Sequence, residues 1–314
     1  MRATILRGTA LLLAAAAGIL AAGPAAAATD LQLLARHAPV LVLHPAEPFV
    51  PVAVDGFLAD SDLVRRAADG TWGPAGVDLA SARAGDRLDQ RACRAVDGPA
   101  ALGCYAGAQA AHDSASTAYG ALFRRGRLVA LQYWLFYPVN VYRPPTTAGE
   151  FWQAHEGDWE AVTVLLGPDG RPATVGLSRH CGGVTREWRR APRQGAHPVA
   201  YVALGSHALG FAPGATRLEE RCWPPEALSI YRAYGVTLRD RSGEGRRVRP
   251  RVVRVTATAP GWMRFPGAWG EDQYVRFPDV EPLRFGQGPV GPAFHELWRR
   301  PFATPVAWPR DAAR

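Results

Sequence analysis

Leu128-Val-Ala-Leu-Gln-Tyr-Trp-Leu-Phe-Tyr137 is an apolar run of strand-forming residues broken by one polar side chain, Gln132. A strand presents alternate residues to opposite faces. A run that is apolar at both parities must therefore be covered on both sides, as at the centre of a sandwich. Immediately upstream, Tyr119 to Phe123 and the turn Arg125-Gly126 supply the partner strand of a hairpin. Downstream, Trp159 to Leu165 alternates, Gly167-Pro-Asp-Gly170 is a strong turn signal, and Arg171 to His180 reads as the returning strand. Val184 to Arg190 and His197 to Leu204 read as further strands, and Pro39 to Leu43 as a short buried one. Thr29 or Asp30 can cap a short helix that ends at Arg36 or His37. Residues 65–105 are rich in Ala, Gly, Arg and Asp with weak periodicity, which predicts irregular structure. The expected fold is mainly β: a β-sandwich with short peripheral helices and long loops.

Residues 1–28 have the layout of a secretory signal peptide: Arg2 and Arg7, an apolar core from Leu11 to Ala22, and small residues at Ala26-Ala27-Ala28. Residues 29–314 then form one β-sandwich domain whose segment 29–118 is irregular, and the expected location is secreted or extracytoplasmic. No later run is long and apolar enough to span a bilayer. The net charge is +8, and every one of the 36 basic side chains is arginine. A uniform arginine bias is weak evidence for a nucleic-acid partner, and none is expected. Arg247, Arg249 and Arg251 line one face of an extended segment and read as a charged guard on an edge strand. An even count of four cysteines in an exported chain points to two disulfides. Three pairings are open; Cys93–Cys104 as a local staple and Cys181–Cys222 as a longer closure are favoured.

The chemistry gathers at Phe151-Trp-Gln-Ala-His-Glu-Gly-Asp-Trp-Glu160, which leads directly into a β-branched run. Asp158 and Glu160 are two apart and share a strand face, with Trp159 turned the other way. Gly157 permits a sharp turn that brings His155 back toward them. Two carboxylates side by side repel unless they share a proton or a cation. Carboxylate oxygens with one imidazole suit calcium, magnesium or manganese better than zinc, and Asn140 can add a carbonyl oxygen. The competing reading is an ion-paired strand mouth that binds no metal. Trp262, Trp269, Phe294 and Trp298 read as cover for a sheet face.

Several motifs carry a resemblance. His44-Pro, Gln132-Tyr-Trp-Leu-Phe-Tyr-Pro138, His155-Glu-Gly-Asp-Trp-Glu160, His197-Pro-Val-Ala-Tyr-Val-Ala-Leu-Gly-Ser-His207 and Phe265-Pro-Gly-Ala-Trp-Gly270 resemble the vacuolar-protein-sorting-associated family and its secreted bacterial relatives. That family has no defined activity. Tyr133 to Asn140 followed by His155-x-x-Asp158-Trp159-Glu160 is similar to the heart of the necrosis- and ethylene-inducing-peptide-like toxins. That resemblance implies a secreted β-sandwich with a divalent cation held by His155, Asp158, Glu160 and the position of Asn140. Gly157 replaces a second histidine of the toxin motif, and Asn140 stands where the toxins carry an aspartate.

The expected function is a secreted protein whose cation site at a strand mouth binds a glycan or an anionic lipid headgroup. One alternative is a metal-dependent hydrolase of an envelope or extracellular substrate, with Glu156, His180 and His207 as candidate catalytic residues. Another is a metal-free interaction domain. The chain lacks Gly-x-Ser-x-Gly and a P-loop, which removes two large enzyme classes.

Overall fold

The computed structural model describes residues 24–76, 78–93, 98–111, 115–147, 149, 151–271, 273–276, 283–285 and 288–308. Residues 1–23 of the expected signal peptide lie outside that range, and helix α1 (Pro24–Arg36) runs through the expected cleavage point after Ala28. In chain order the first strands are β1 (Val40–Leu43), β2 (Ser61–Arg66), β3 (Trp72–Gly76), β4 (Arg87–Gln90), β5 (Thr117–Arg125), β6 (Leu128–Tyr142), β7 (Trp152–Leu166), β8 (Pro172–Arg179) and β9 (Gly182–Glu187). They continue with β10 (Arg193–Gln194), β11 (His197–Val202), β12 (Leu209–Gly210), β13 (Gly214–Arg217), β14 (Arg239–Ser242), β15 (Arg247–Val248), β16 (Arg251–Arg254), β17 (Gln273–Arg276) and β18 (Leu283–Phe285).

The fold is mainly β, as the apolar runs require. The main sheet has eight strands in the order β16-β5-β6-β7-β17-β18, with β8 on β7 and β9 on β8. Strand β6 is its spine. It is buried from Ala130 to Tyr142 and pairs with β5 on one side and β7 on the other. The second sheet is built on β10-β11-β1-β15, and β1 lies parallel to β11. Its alternation is explicit: Leu41, Leu43, Ala200 and Val202 enter the principal core, whereas Val40, Val42, Val199 and Tyr201 form a small cluster of their own. Each buried Leu or Val contributes roughly 1.5–3 kcal/mol over leaving it in water, and β1 is buried on both faces. The aromatic segment 261–270 covers a sheet face as expected: Trp262 and Trp269 are buried against Trp159, Trp269 also against Phe136, and Phe265 packs on Trp269. Strand β15 is the edge of the second sheet, with Arg247 exposed on it.

Two expectations are corrected. Segment 29–118 is not irregular. It carries the three-stranded sheet β3-β2-β4 and the helices α2 (Val54–Ala59) and α3 (Gly98–Ala111). These strands are short and are held by tertiary contacts with no local pattern, such as the Arg65–Asp86 pair at 2.6 Å. Val184 to Arg190 is a strand only to Glu187 and then becomes a 3₁₀ turn. Both favoured disulfides form, Cys93–Cys104 and Cys181–Cys222. Among the described residues no helix is long and apolar enough to cross a membrane.

Candidate functional site

The site lies in a gap along one edge of β7. Strand β17 pairs with β7 only at residues 152–154, and β8 joins only from Val162 onward. Among the described residues no strand pairs with β7 on that edge between them, and side chains take over some of its backbone hydrogen bonds. His155 Nδ1 donates to the Gly157 carbonyl at 2.8 Å, and the Ala161 amide donates to Ser178 Oγ at 2.6 Å. Gly157 has φ +58, and a Cβ there would collide with the carbonyl oxygen of Trp269. Its backbone inverts the alternation within the strand, where the sequence had suggested a turn before it. His155 consequently joins Asp158 and Glu160 around one cavity of about 270 Å³, together with Asn140, His180, Ser206 and Trp223.

Polar neighbours beneath the cavity hold these groups. Asp158 Oδ2 accepts from His207 Nδ1 at 2.9 Å and from Asn140 Nδ2 at 3.1 Å. His207 is fully buried, stacks on Tyr137 at 3.8 Å between ring centroids, and reaches Glu47 with its other nitrogen at 3.5 Å. Glu47 is anchored by the amides of Phe49 and Gly205 at 3.0 and 2.7 Å. The imidazole thus sits between two buried carboxylates. Burial alone would lower its pKa, but the charge of Glu47 and the bond to Asp158 reverse that and bring it to about 9. Asp158 runs the other way: burial would raise it, but the hydrogen bond and charge of His207 and the hydrogen bond from Asn140 hold it below its ordinary value. Glu160 is pushed well above the carboxylate range, first by burial and then by the Asp158 charge, and it accepts from Ser178 Oγ.

The expected site residues separate into two groups. His155, Asp158, Glu160, Asn140 and His180 share the cavity. Two candidate catalytic residues lie outside the cavity. His207 lies below it with no exposure and supports Asp158. Glu156 leaves the cavity altogether, because Gly157 sends the two parities to opposite sides. It takes hydrogen bonds from Tyr105 Oη and from the amides of Gln90 and Glu271, at 3.4 and 3.2 Å for the amides. Burial raises Glu156 to about 7. Its proton therefore stabilises the fold fully below pH 4.5, and that contribution is lost as pH rises through about 7. Unfolding free energy should fall by about 3 kcal/mol across this window from Glu156 alone. Urea unfolding at pH 5 and pH 8 checks this; Glu156→Gln should remove that component of the slope.

Asp240, Trp223 and His295 were missed. Asp240 accepts from His180 Nε2 at 2.9 Å and from Ser206 Oγ at 2.6 Å. The pattern Arg239-Asp240-Arg241 on a strand carried the signal: a lone acid at inward parity between exposed arginines. Trp223 and His295 arrive from distant segments, and no local pattern announces them.

Among the described residues no group of three or more His, Cys, Asp and Glu side chains is gathered to hold a metal as it stands. The donor set nevertheless fits a hard cation in kind. His155 commits Nδ1 to backbone, which leaves Nε2 as its acceptor. Asp158 and Glu160 bring adjacent carboxylates, and Asn140 brings an amide oxygen.

Fold and site together define a mainly β protein with a polar, acid-walled cavity at a strand gap. No family model matches the chain. It is 27% identical over 211 residues to vacuolar protein sorting-associated protein 62 of Saccharomyces cerevisiae, covering 56% of this chain and 43% of that protein's length. Similar solved structures include NLPPya in complex with glucosamine, at 16% identity and TM-score 0.30, covering 58% of this chain and 65% of that one. Another, described as a toxin fold as basis for microbial attack and plant defense, has 13% identity and TM-score 0.33, covering 71% and 73%. A third is necrosis and ethylene inducing protein 2 from the causal agent of cocoa's witches' broom disease, at 18% identity and TM-score 0.29, covering 61% and 69%. Both resemblances read from the sequence are thus recovered.

Proposed function

We propose that this chain is an extracytoplasmic protein that holds a divalent cation in the β7 gap and binds a glycan through it. The observation that carries the reading is the convergence of His155, Asp158, Glu160 and Asn140 on one cavity. Nothing local requires that convergence. A regular strand would turn His155 away from the two carboxylates, and Gly157 is what brings it back. A bound cation would neutralise the paired acids and present open coordination positions to ligand hydroxyls. The two disulfides support an oxidising compartment.

Metal analysis of the purified protein after incubation with calcium, magnesium or manganese should find one ion per chain. Chelation should lower Tm. Glu160→Gln separates site from scaffold. It replaces a carboxyl that burial and the Asp158 charge keep protonated with a neutral group of the same shape, so the metal-free protein should be about as stable as wild type, yet bind no ion. A chain that takes up no divalent ion and melts identically with chelator would sink the reading.

A further inference from the structure

His180 has an unusual backbone for a cavity-lining residue. Arg179 pairs with Gly182, so His180 and Cys181 are the two central residues of a tight hairpin turn, and His180 has φ +50. That position ordinarily belongs to glycine, because a side chain there is strained. Strained residues are retained where the surroundings over-determine them, commonly at sites that meet a ligand.

The surroundings here do so. His180 Nε2 lies 2.9 Å from Asp240 Oδ2, and Asp240 is only 4% exposed. The other oxygen of Asp240 accepts from Ser206 Oγ at 2.6 Å. The residue after His180 is tied through Cys181–Cys222 to the segment bearing Trp223, whose ring lies 5.4 Å from the imidazole. With the Nε2 proton donated to a carboxylate, the Nδ1 atom of His180 is left as an acceptor. His155 is fixed the opposite way round and also ends as an acceptor, at Nε2. Asp158 and Glu160 add oxygens to the same cavity. His295, whose Nδ1 accepts from the Leu297 amide, keeps its proton on Nε2 and is the imidazole donor of the set. In a chain with 36 basic side chains, all of them arginine, no arginine is among the described residues lining this cavity. The side-chain lining is thus rich in acceptors, which take hydroxyl donors.

We propose that His180, oriented by Asp240, is a ligand-binding residue that accepts a hydrogen bond from a sugar hydroxyl. This rests on the reading of the cavity as a glycan site and narrows it.

Two experiments test the assignment. Long-range ¹H–¹⁵N spectra of the histidines in the ligand-free protein should show His180 as the Nε2–H tautomer. Asp240→Asn, whose amide oxygen can still accept, should largely keep that signature, and Asp240→Ala should lose it. An Nδ1–H tautomer in wild type would overturn this assignment and leave the cation site untouched. The second experiment is calorimetric titration of the magnesium-loaded protein with glucose, galactose and mannose. At least one of these sugars should bind. His180→Ala should lose about tenfold in affinity for that sugar, with metal content unchanged. Unchanged affinity in His180→Ala overturns the proposal. Failure of all three sugars despite the expected tautomer overturns the sugar-binding reading of the cavity itself, and this assignment with it.

Discussion

Gly157→Ala should cost roughly 3–4 kcal/mol of folding free energy and abolish cation binding in whatever fraction remains folded. Two penalties combine. The first is backbone strain, because φ is +58 and a side chain is disfavoured there. The second is steric. An added Cβ meets the carbonyl oxygen of Trp269, a fully buried residue whose own amide is bonded to the Pro289 carbonyl at 2.7 Å. That neighbour is backbone and cannot rotate aside. Gly126 offers a matched control: it also has φ +58, but nothing lies within 4 Å of an added Cβ. Gly126→Ala should therefore cost only about 1 kcal/mol. Urea unfolding of both variants isolates the collision from the strain. Equal losses would mean that the approach of Trp269 does not hold the kink.

Asp158→Ala should destabilise the metal-free protein by about 3–5 kcal/mol. The reason is what it leaves behind: an imidazole with no exposure, stacked on Tyr137, whose 2.9 Å partner has gone. The Asp158→Ala, His207→Ala pair forms a double-mutant cycle, and a coupling of about 2 kcal/mol or more is expected. The pH dependence has a definite sign. His207 is raised to about 9, so its contribution is fully present below its ordinary pKa of 6.5 and fades as pH rises through about 9. Wild type should lose about 3 kcal/mol across that window from this group, and Asp158→Ala should lose less. Measuring in a Glu156→Gln, Glu160→Gln background removes the overlapping carboxyl titrations. A loss under about 1 kcal/mol for Asp158→Ala would show that the buried pair carries little net interaction.

Much of the site was legible before the fold. Asp158 and Glu160 share a strand face by parity alone, and the glycine before them marks where that parity breaks. The apolar run from Leu128 to Tyr137 required cover on both sides, and β6 has it. The cysteines paired as their spacing favoured. Glu156 and His207 went the other way for a common reason. Side-chain direction beyond a kink, and burial beneath a neighbouring strand, are properties of packing and not of local pattern. The short strands β2 to β4 escaped notice because their pairing rests on contacts such as Arg65–Asp86 that no periodicity encodes.

By itself the sequence determined the layered β architecture and the acidic pair at the head of β7, because strand periodicity and hydrophobic coverage act within a few residues. Only the tertiary structure decided which groups meet around that pair. His180 and Asp240 are sixty residues apart and bond at 2.9 Å, and Glu47 supports His207 from a separation of 160 residues. Those encounters depend on where the sheets leave a gap, and a gap arises only once distant strands have chosen their registers.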